Sequence, residues 1–138
     1  MARIELLSWE GARAHAAAIR FEVFVEEQGV PADIEMDEMD SACVHALAYE
    51  NETPVATGRL LPDGHIGRMA VRKPWRGRGI GGAILERLIE AARRRGDREV
   101  ALSSQVHAVA FYRRYGFDPR GEVYEEAGIP HQAMVRTL

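Results

Sequence analysis

The 138 residues suffice for one domain with a sizeable core. Apolar residues make up 46% and charged ones 28%, with a formal net charge of −3. No bulk positive field therefore favours nucleic acid or an anionic membrane, and any anion site has to be local. Cys43 is the single cysteine. That excludes a disulfide framework within the chain and suits a reducing compartment. Next to Val44 and Ala46, it reads as a buried strand thiol rather than a nucleophile. The opening MARIELLSWEG carries no long apolar run after its arginine, and no stretch approaches the ~18 apolar residues of a membrane span. A cytoplasmic protein is the expectation.

In chain order, residues 4–8 predict a short strand and residues 11–28 a helix, with Ala16, Ile19 and Val23 on one face and Phe21 and Phe24 widening it. Gly29 and Pro31 stop it, and the acidic loop DIEMDEMD follows. Residues 43–50, 54–61 and 65–71 predict three strands separated by ENET and PDG turns, a meander. Four glycines then fall within residues 77–82. Residues 79–95 predict an amphipathic helix whose stripe is Ile80, Ile84, Leu88 and Ala91, broadened by Leu85, Ile89 and Ala92. Arg93 to Arg95 and Gly96 end it, cations and then glycine at the negative pole. Residues 99–103 predict a strand, 106–115 a short helix, and 117–125 and 131–138 two final strands around EEAGIP. The strand–helix–strand run over 65–103 implies a parallel pair with a crossover. The fold class is mixed α/β, with about seven strands in a largely antiparallel central sheet and helices on both faces.

Glycine costs helix stability, so crowding it at a helix start needs a reason. The first turn presents N–H groups with no intrahelical partner, and the dipole adds positive charge. Gly77, Gly79, Gly81 and Gly82 would let a phosphate touch this backbone, with Arg76 and Arg78 adding mobile charge. A tight strand-to-helix turn is the plain alternative. The loop lacks the Lys-Ser or Lys-Thr of a Walker loop, and its spacing and late position disfavour a Rossmann site.

The stretch RMAVRKPWRGRGIGGAILERLI resembles the acetyl-coenzyme A signature of the GNAT superfamily of N-acetyltransferases, through Arg76, Gly79 and Gly81. QVHAVAFYRRYGF resembles the family's later helix, with Tyr112 four residues before Gly116 and Phe117 after it. IRFEVFVEEQGVP, EMDEMD and EEAGIPHQAM are similar to the ElaA-like branch of bacterial GNAT proteins. The resemblance spans essentially the whole chain, read as a single domain over residues 1–138. Gln105 stands where the superfamily usually carries Asn.

The resemblance implies acetyl transfer from acetyl-coenzyme A, with no metal, to a primary amine of a small molecule or peptide. It implies that residues 76–82, Ile80 included, hold the pyrophosphate, that Gln105 contacts the cofactor, and that Met69, Ala70 and Val71 meet the pantetheine arm as a strand would. An amide near Met69 or Ala70 would polarise the thioester carbonyl. Tyr112 would be the general acid; a packed aromatic is its alternative. The family position for a base falls on His65, in a DGH sequence that is also an ordinary turn, with Glu26, Glu27 and His131 as other candidates. Glu26, Glu35, Asp37 and His131 are candidates for the acceptor pocket. Asp40 belongs to the same acidic loop, and carboxylates bracing Arg20 or Arg59 are the alternative there. His15, His45 and His107 lack metal-ligand spacing. No nucleic acid or membrane partner is expected, and the state is monomer or homodimer. Two other readings stay open. Arg20, Phe24, Glu35, Asp37 and Asp40 resemble the first half of acyl-homoserine-lactone synthases, and a coenzyme A-binding sensor would need only the loop.

Overall fold

The structure, a computed structural model, describes residues 2–32 and 37–138. Glu35, a candidate acceptor-pocket residue, lies outside them. Among the described residues, eight strands and three α-helices form two mixed-layer halves. In the first half, β1 (Arg3–Leu7), β2 (Val44–Glu50), β3 (Thr53–Leu60) and β4 (Ile66–Val71) make an antiparallel sheet in that order. In the second, β8 (Ile129–Thr137) pairs along one edge with β5 (Glu99–Gln105) and along the other with β6 (Asp118–Pro119) and β7 (Tyr124–Glu126).

The expected fold class holds, but the single sheet of about seven strands is replaced by two sheets of four. The predicted parallel pair explains the difference. β4 and β5 meet only at their starts, in one parallel bridge between His65 and Ala101, where the Ala101 N–H donates to the Gly64 carbonyl at 3.1 Å. Gly64 lets the turn close here, since a Cβ on it would sit 2.9 Å from the Glu99 carbonyl oxygen. Beyond this point the two strands part. Residues 117–125, read as one strand, contain a break at Gly121 and yield β6 and β7 separately.

α1 (Trp9–Arg20) covers one face of the first sheet and α2 (Ile80–Arg95) the other. Ala12, Ala16 and Ile19 recur at helical spacing and are fully buried against Leu47 and Ala70. On α2, Ile80, Ile84, Leu85, Leu88 and Ile89 are buried. At about 1.5–3 kcal/mol for each such side chain, their burial outweighs the ~0.5–1 kcal/mol that each of Gly81 and Gly82 costs within a helix. The helix predicted through residue 28 changes character after Arg20. Phe21–Glu27 is a π-helix, with Gln28 N–H donating five residues back to Val23 at 3.1 Å. Apolar periodicity over seven residues does not separate this bonding from α-helix.

A buried ion network ties α1 to the meander. Asp40, 2% exposed, accepts from both terminal nitrogens of Arg20 at 2.9 and 3.1 Å and from Arg59 at 2.9 Å. Asp37 accepts from Arg59 at 2.8 and 2.9 Å and from Arg68 at 3.2 Å. His45 Nε2–H donates to the Asp40 carbonyl at 2.8 Å, beside Trp9. Burial opposes ionisation of Asp40, but the hydrogen bonds and charges of Arg20 and Arg59 outweigh it and hold its pKa below the ordinary range. The hydrogen bond from Arg59 pulls Asp37 down to about 2. Both shifts are depressions, so their stabilisation is complete above the unfolded carboxyl value of ~3.9 and is lost as pH falls through the folded values. Urea denaturation is therefore expected to show stability falling steeply from pH 4 to about 2. Asp37→Asn should flatten that slope while lowering stability at pH 7.

Candidate active site

Where β4 and β5 diverge, a cavity of about 480 Å³ opens between their facing edges. β4 contributes Ile66, Gly67, Arg68 and Met69; β5 contributes Leu102, Ser103 and Gln105. The π-helix and its exit add Phe24, Gln28 and Val30, and the β7–β8 hairpin adds Glu126, Ala127, Ile129 and His131. His107, Ala108 and Tyr112 complete it from the short 3₁₀ turn Val106–Ala108 and α3 (Val109–Arg114). Both β4 and β5 end their sheets on this side, so their backbone groups here lack a strand partner.

β4 is irregular at the cavity. Thr57 pairs with Ala70 and Arg59 with Gly67, so Arg68 and Met69 together oppose Gly58. Arg68 takes φ +49°, a left-handed conformation uncommon outside glycine. Such a bulge leaves an extra residue out of the ladder and re-aims its amide. The Arg68 guanidinium is held on Asp37, and the Met69 side chain packs over Gly58 towards α2.

The four glycines separate by cause. Gly77 and Gly79 have φ of +78° and +79°, and nothing lies within 4 Å of where their Cβ atoms would be. They supply left-handed backbone under open space. Gly81 has room for a Cβ, 3.6 Å from Val71. Gly82 differs: a Cβ there would fall inside the Tyr115 hydroxyl and 2.7 Å from the ring carbon bearing it. Gly82 is buried beneath Tyr115, so its missing side chain serves packing rather than an approaching phosphate. Gly82→Ala is expected to lower stability by about 1–3 kcal/mol through overpacking, measurable by urea denaturation, whereas Gly81→Ala should not.

No side chain caps the start of α2, whose N-cap is Gly79. Arg76 is turned away from it. Its Nε–H donates to the Val71 carbonyl at 2.8 Å and its guanidinium bonds the Glu27 carboxylate, at 2.8 Å for one pair of atoms. That hydrogen bond holds Glu27 below the usual carboxylate range and Arg76 above its own. Arg72 grips Glu22 in the same way at 3.0 Å. Arg78 is exposed and makes no bond or ion pair with the described residues.

Tyr112 is half-buried, with Phe111 at 5.1 Å and Phe117 at 6.1 Å between ring centres. Burial raises its pKa, so the phenol keeps its proton well past neutrality. Gln105 bridges the cavity end: its amide donates to Gln28 at 3.0 Å and its oxygen accepts from His107 Nε2–H at 2.7 Å. His131 is 8% exposed and lies on the cavity wall.

Thus the expected Met69, Gln105, Tyr112 and His131 come together in one cavity. His65 does not join them. Its exposed imidazole sits 3.1 Å from Asp63, at the closed end of the strand pair. Glu26 is exposed and lines no part of the cavity. Asp37 braces Arg59 and Arg68, the alternative that the sequence had left open. Val71 and Ala70 lie next to the cavity residues on β4, and Ala70 is buried towards α1. Sequence reasoning missed Arg68, Gln28 and Glu126. Only Glu126 carried a signal, as one of two carboxylates in an EEAG turn. Among the described residues, no group of three or more His, Cys, Asp or Glu is placed to hold a metal ion.

A splayed strand pair, a bulge on its first member and a glycine-bearing helix start directly after it define an acyltransferase fold. The model of the acetyltransferase (GNAT) domain matches residues 10–138. The chain belongs to this family of N-acetyltransferases, and within it to the ElaA-like branch. It is 39% identical over 122 residues to the uncharacterized N-acetyltransferase YjcF of Bacillus subtilis, covering 86% of this chain and 87% of that one. The crystal structure of Escherichia coli ElaA superposes with a TM-score of 0.88 at 32% identity, covering 99% of each chain. That of an acyl-CoA N-acyltransferase from Pseudomonas aeruginosa gives 0.89 at 34% identity, over 99% of this chain and all of that one.

Proposed function

We propose that the protein transfers an acetyl group from acetyl-coenzyme A to a primary amine of a small molecule or peptide, both substrates being held together in the cavity. The observation that carries this reading is the cavity itself. Two unpaired strand edges flank it, the Arg68–Met69 bulge lies on one wall, and the half-buried Tyr112 phenol lies on another. A more distant GNAT acetyltransferase, from Elizabethkingia anophelis, has acetyl-CoA bound in its crystal structure, with a TM-score of 0.72.

The residues present fit this cosubstrate. The uncapped α2 start, open space above Gly77 and Gly79, and Arg78, which has no partner among the described residues, suit a pyrophosphate. The free edge over Gly67 to Val71 suits an amide-bearing arm adding as a strand. When bound, acetyl-coenzyme A supplies an activated acetyl thioester. The Met69 amide, freed by the bulge, is the oxyanion donor, and one such donor is worth roughly 10²–10³ in rate. Tyr112 holds a proton at Oη for the departing sulfur. Gln105 fixes the cavity end through Gln28 and His107. Arg76 acts on the loop through Glu27, setting its position against the π-helix rather than meeting phosphate itself.

Of the residues on which the lactone-synthase comparison rests, Arg20, Asp37 and Asp40 are engaged in the buried network and do not line the cavity, Phe24 does line it, and Glu35 lies outside the described residues. The test is thiol release from acetyl-coenzyme A across a panel of primary amines, with acetylated products identified by mass spectrometry. Amine-dependent release supports the reading. Binding of acetyl-coenzyme A with no release from any amine would replace it with a sensor.

A further inference from the structure

The β7–β8 hairpin carries a side-chain pair that the transfer step above does not use. His131 is fixed by two contacts, the second of them itself anchored. Its Nδ1–H donates to the Ile129 carbonyl at 2.7 Å. Its ring stacks on Tyr124, with centres 6.1 Å apart and planes at 28°. Tyr124 is itself anchored by its hydroxyl to Ser103 on β5. A carbonyl only accepts, so Nδ1 carries a proton, and in the neutral imidazole the lone pair is then on Nε2. Nε2 lies 3.7 Å from the Glu126 carboxylate, too far for a hydrogen bond but near enough for charge. The Glu126 side chain is 55% exposed, whereas that of His131 is 10%.

We propose that Glu126 and His131 form the acceptor end of the cavity, where Glu126 draws in a primary alkylammonium and His131 Nε2 removes its proton. The inference rests on the N-acetyltransferase reading and names its acceptor class and base. Phe24, Val30 and Ile129 line the same cavity and suit a carbon chain. In the proton step an N–H bond of the ammonium breaks and its electron pair stays on nitrogen. The Nε2–H bond forms, the new imidazolium faces Glu126, and the proton then passes to water along the exposed carboxylate. A free alkylammonium has a pKa near ~10.4, so at neutral pH unaided ionisation leaves only a minute neutral fraction.

The other ionisable groups lining the cavity are Arg68 on β4, His107 after β5 and Tyr112 on α3, with Tyr124 stacked on His131 from β7. The Arg68 charge is countered by Asp37 at 3.2 Å. His107 donates to Gln105, directly across the ladder from His131. None of them offers a lone pair at Glu126.

Nitrogen-resolved NMR of ¹⁵N-histidine-labelled protein tests this without turnover. The expected result is the Nδ1–H tautomer at His131, a His131 shift on adding n-hexylammonium chloride, none on adding sodium hexanoate, and at least tenfold weaker ammonium binding in Glu126→Gln. The Nε2–H tautomer, or equal ammonium binding in Glu126→Gln, overturns the proposal. In turnover, His131→Gln should lower kcat about 10²-fold or more at pH 7, recovering towards high pH where the amine ionises unaided; an unchanged rate and profile also overturns it. Circular dichroism confirms that each variant is folded, and Glu126→Gln changes an exposed side chain. A wild type that binds hexylammonium at His131 but acetylates nothing would sink the transfer reading and leave the ammonium site standing.

Discussion

Replacing Asp40 with Ala is expected to cost about 3–5 kcal/mol of folding stability, the largest loss at any single polar position. Arg20 and Arg59 are 1% and 5% exposed, and Asp40 is the carboxylate they share. A guanidinium does not shed its proton to escape burial. Removing the carboxylate therefore takes a shared charge partner from two desolvated cations and opens a void between them, with Asp37 still held by Arg59. The network also joins α1 to β3, and through Asp37 and Arg68 it reaches the β4 bulge. The damage should thus appear in the site as well as in the fold. Asp40→Asn keeps the shape and one acceptor but not the charge, and should fall between wild type and Asp40→Ala. Urea denaturation at pH 7 measures both. A loss below about 1 kcal/mol, the worth of an exposed pair, would show that the network is not the brace described here.

Tyr112→Phe is expected to lower kcat by about 10²-fold or more, in the range of positioned general acids, while leaving acetyl-coenzyme A affinity unchanged. Burial that raises the phenol pKa keeps it protonated across the working range. The substitution removes only the hydroxyl, and that hydroxyl makes no hydrogen bond with the described residues, so the contacts with Phe111 and Phe117 survive. Stability should change little. A variant with wild-type kcat would return Tyr112 to the role of packed aromatic, the alternative its sequence spacing allows.

Much of this architecture is written locally. The α2 stripe, the meander and the glycine-rich helix start depend on near neighbours, and periodicity reports near neighbours. What the sequence hid depends on distance along the chain or on conformation. Arg76 looks like a phosphate ligand beside its glycines, yet it bonds Glu27, 49 residues away. Gly82 looks like its neighbours, yet it is glycine because Tyr115 lies on it. Nothing marks Arg68 as left-handed, since no glycine or asparagine stands there to announce a bulge. Glu126 reads as a turn residue because its hairpin is local, whereas its place at the cavity depends on the long-range pairing of β8 with β5. Parallel strands that touch at one end and part at the other also carry the same apolar pattern as strands that pair throughout.

The central claim is that the α2 start and the open edge of β4 receive acetyl-coenzyme A. Gly81→Glu tests it most directly, because a side chain fits there without backbone strain and its carboxylate would stand in the anion's place. Titration calorimetry of both proteins with acetyl-coenzyme A should show one-to-one binding by wild type and none by the variant, with unchanged circular dichroism and melting temperature. Equal binding by both, or none by wild type, would contradict the claim.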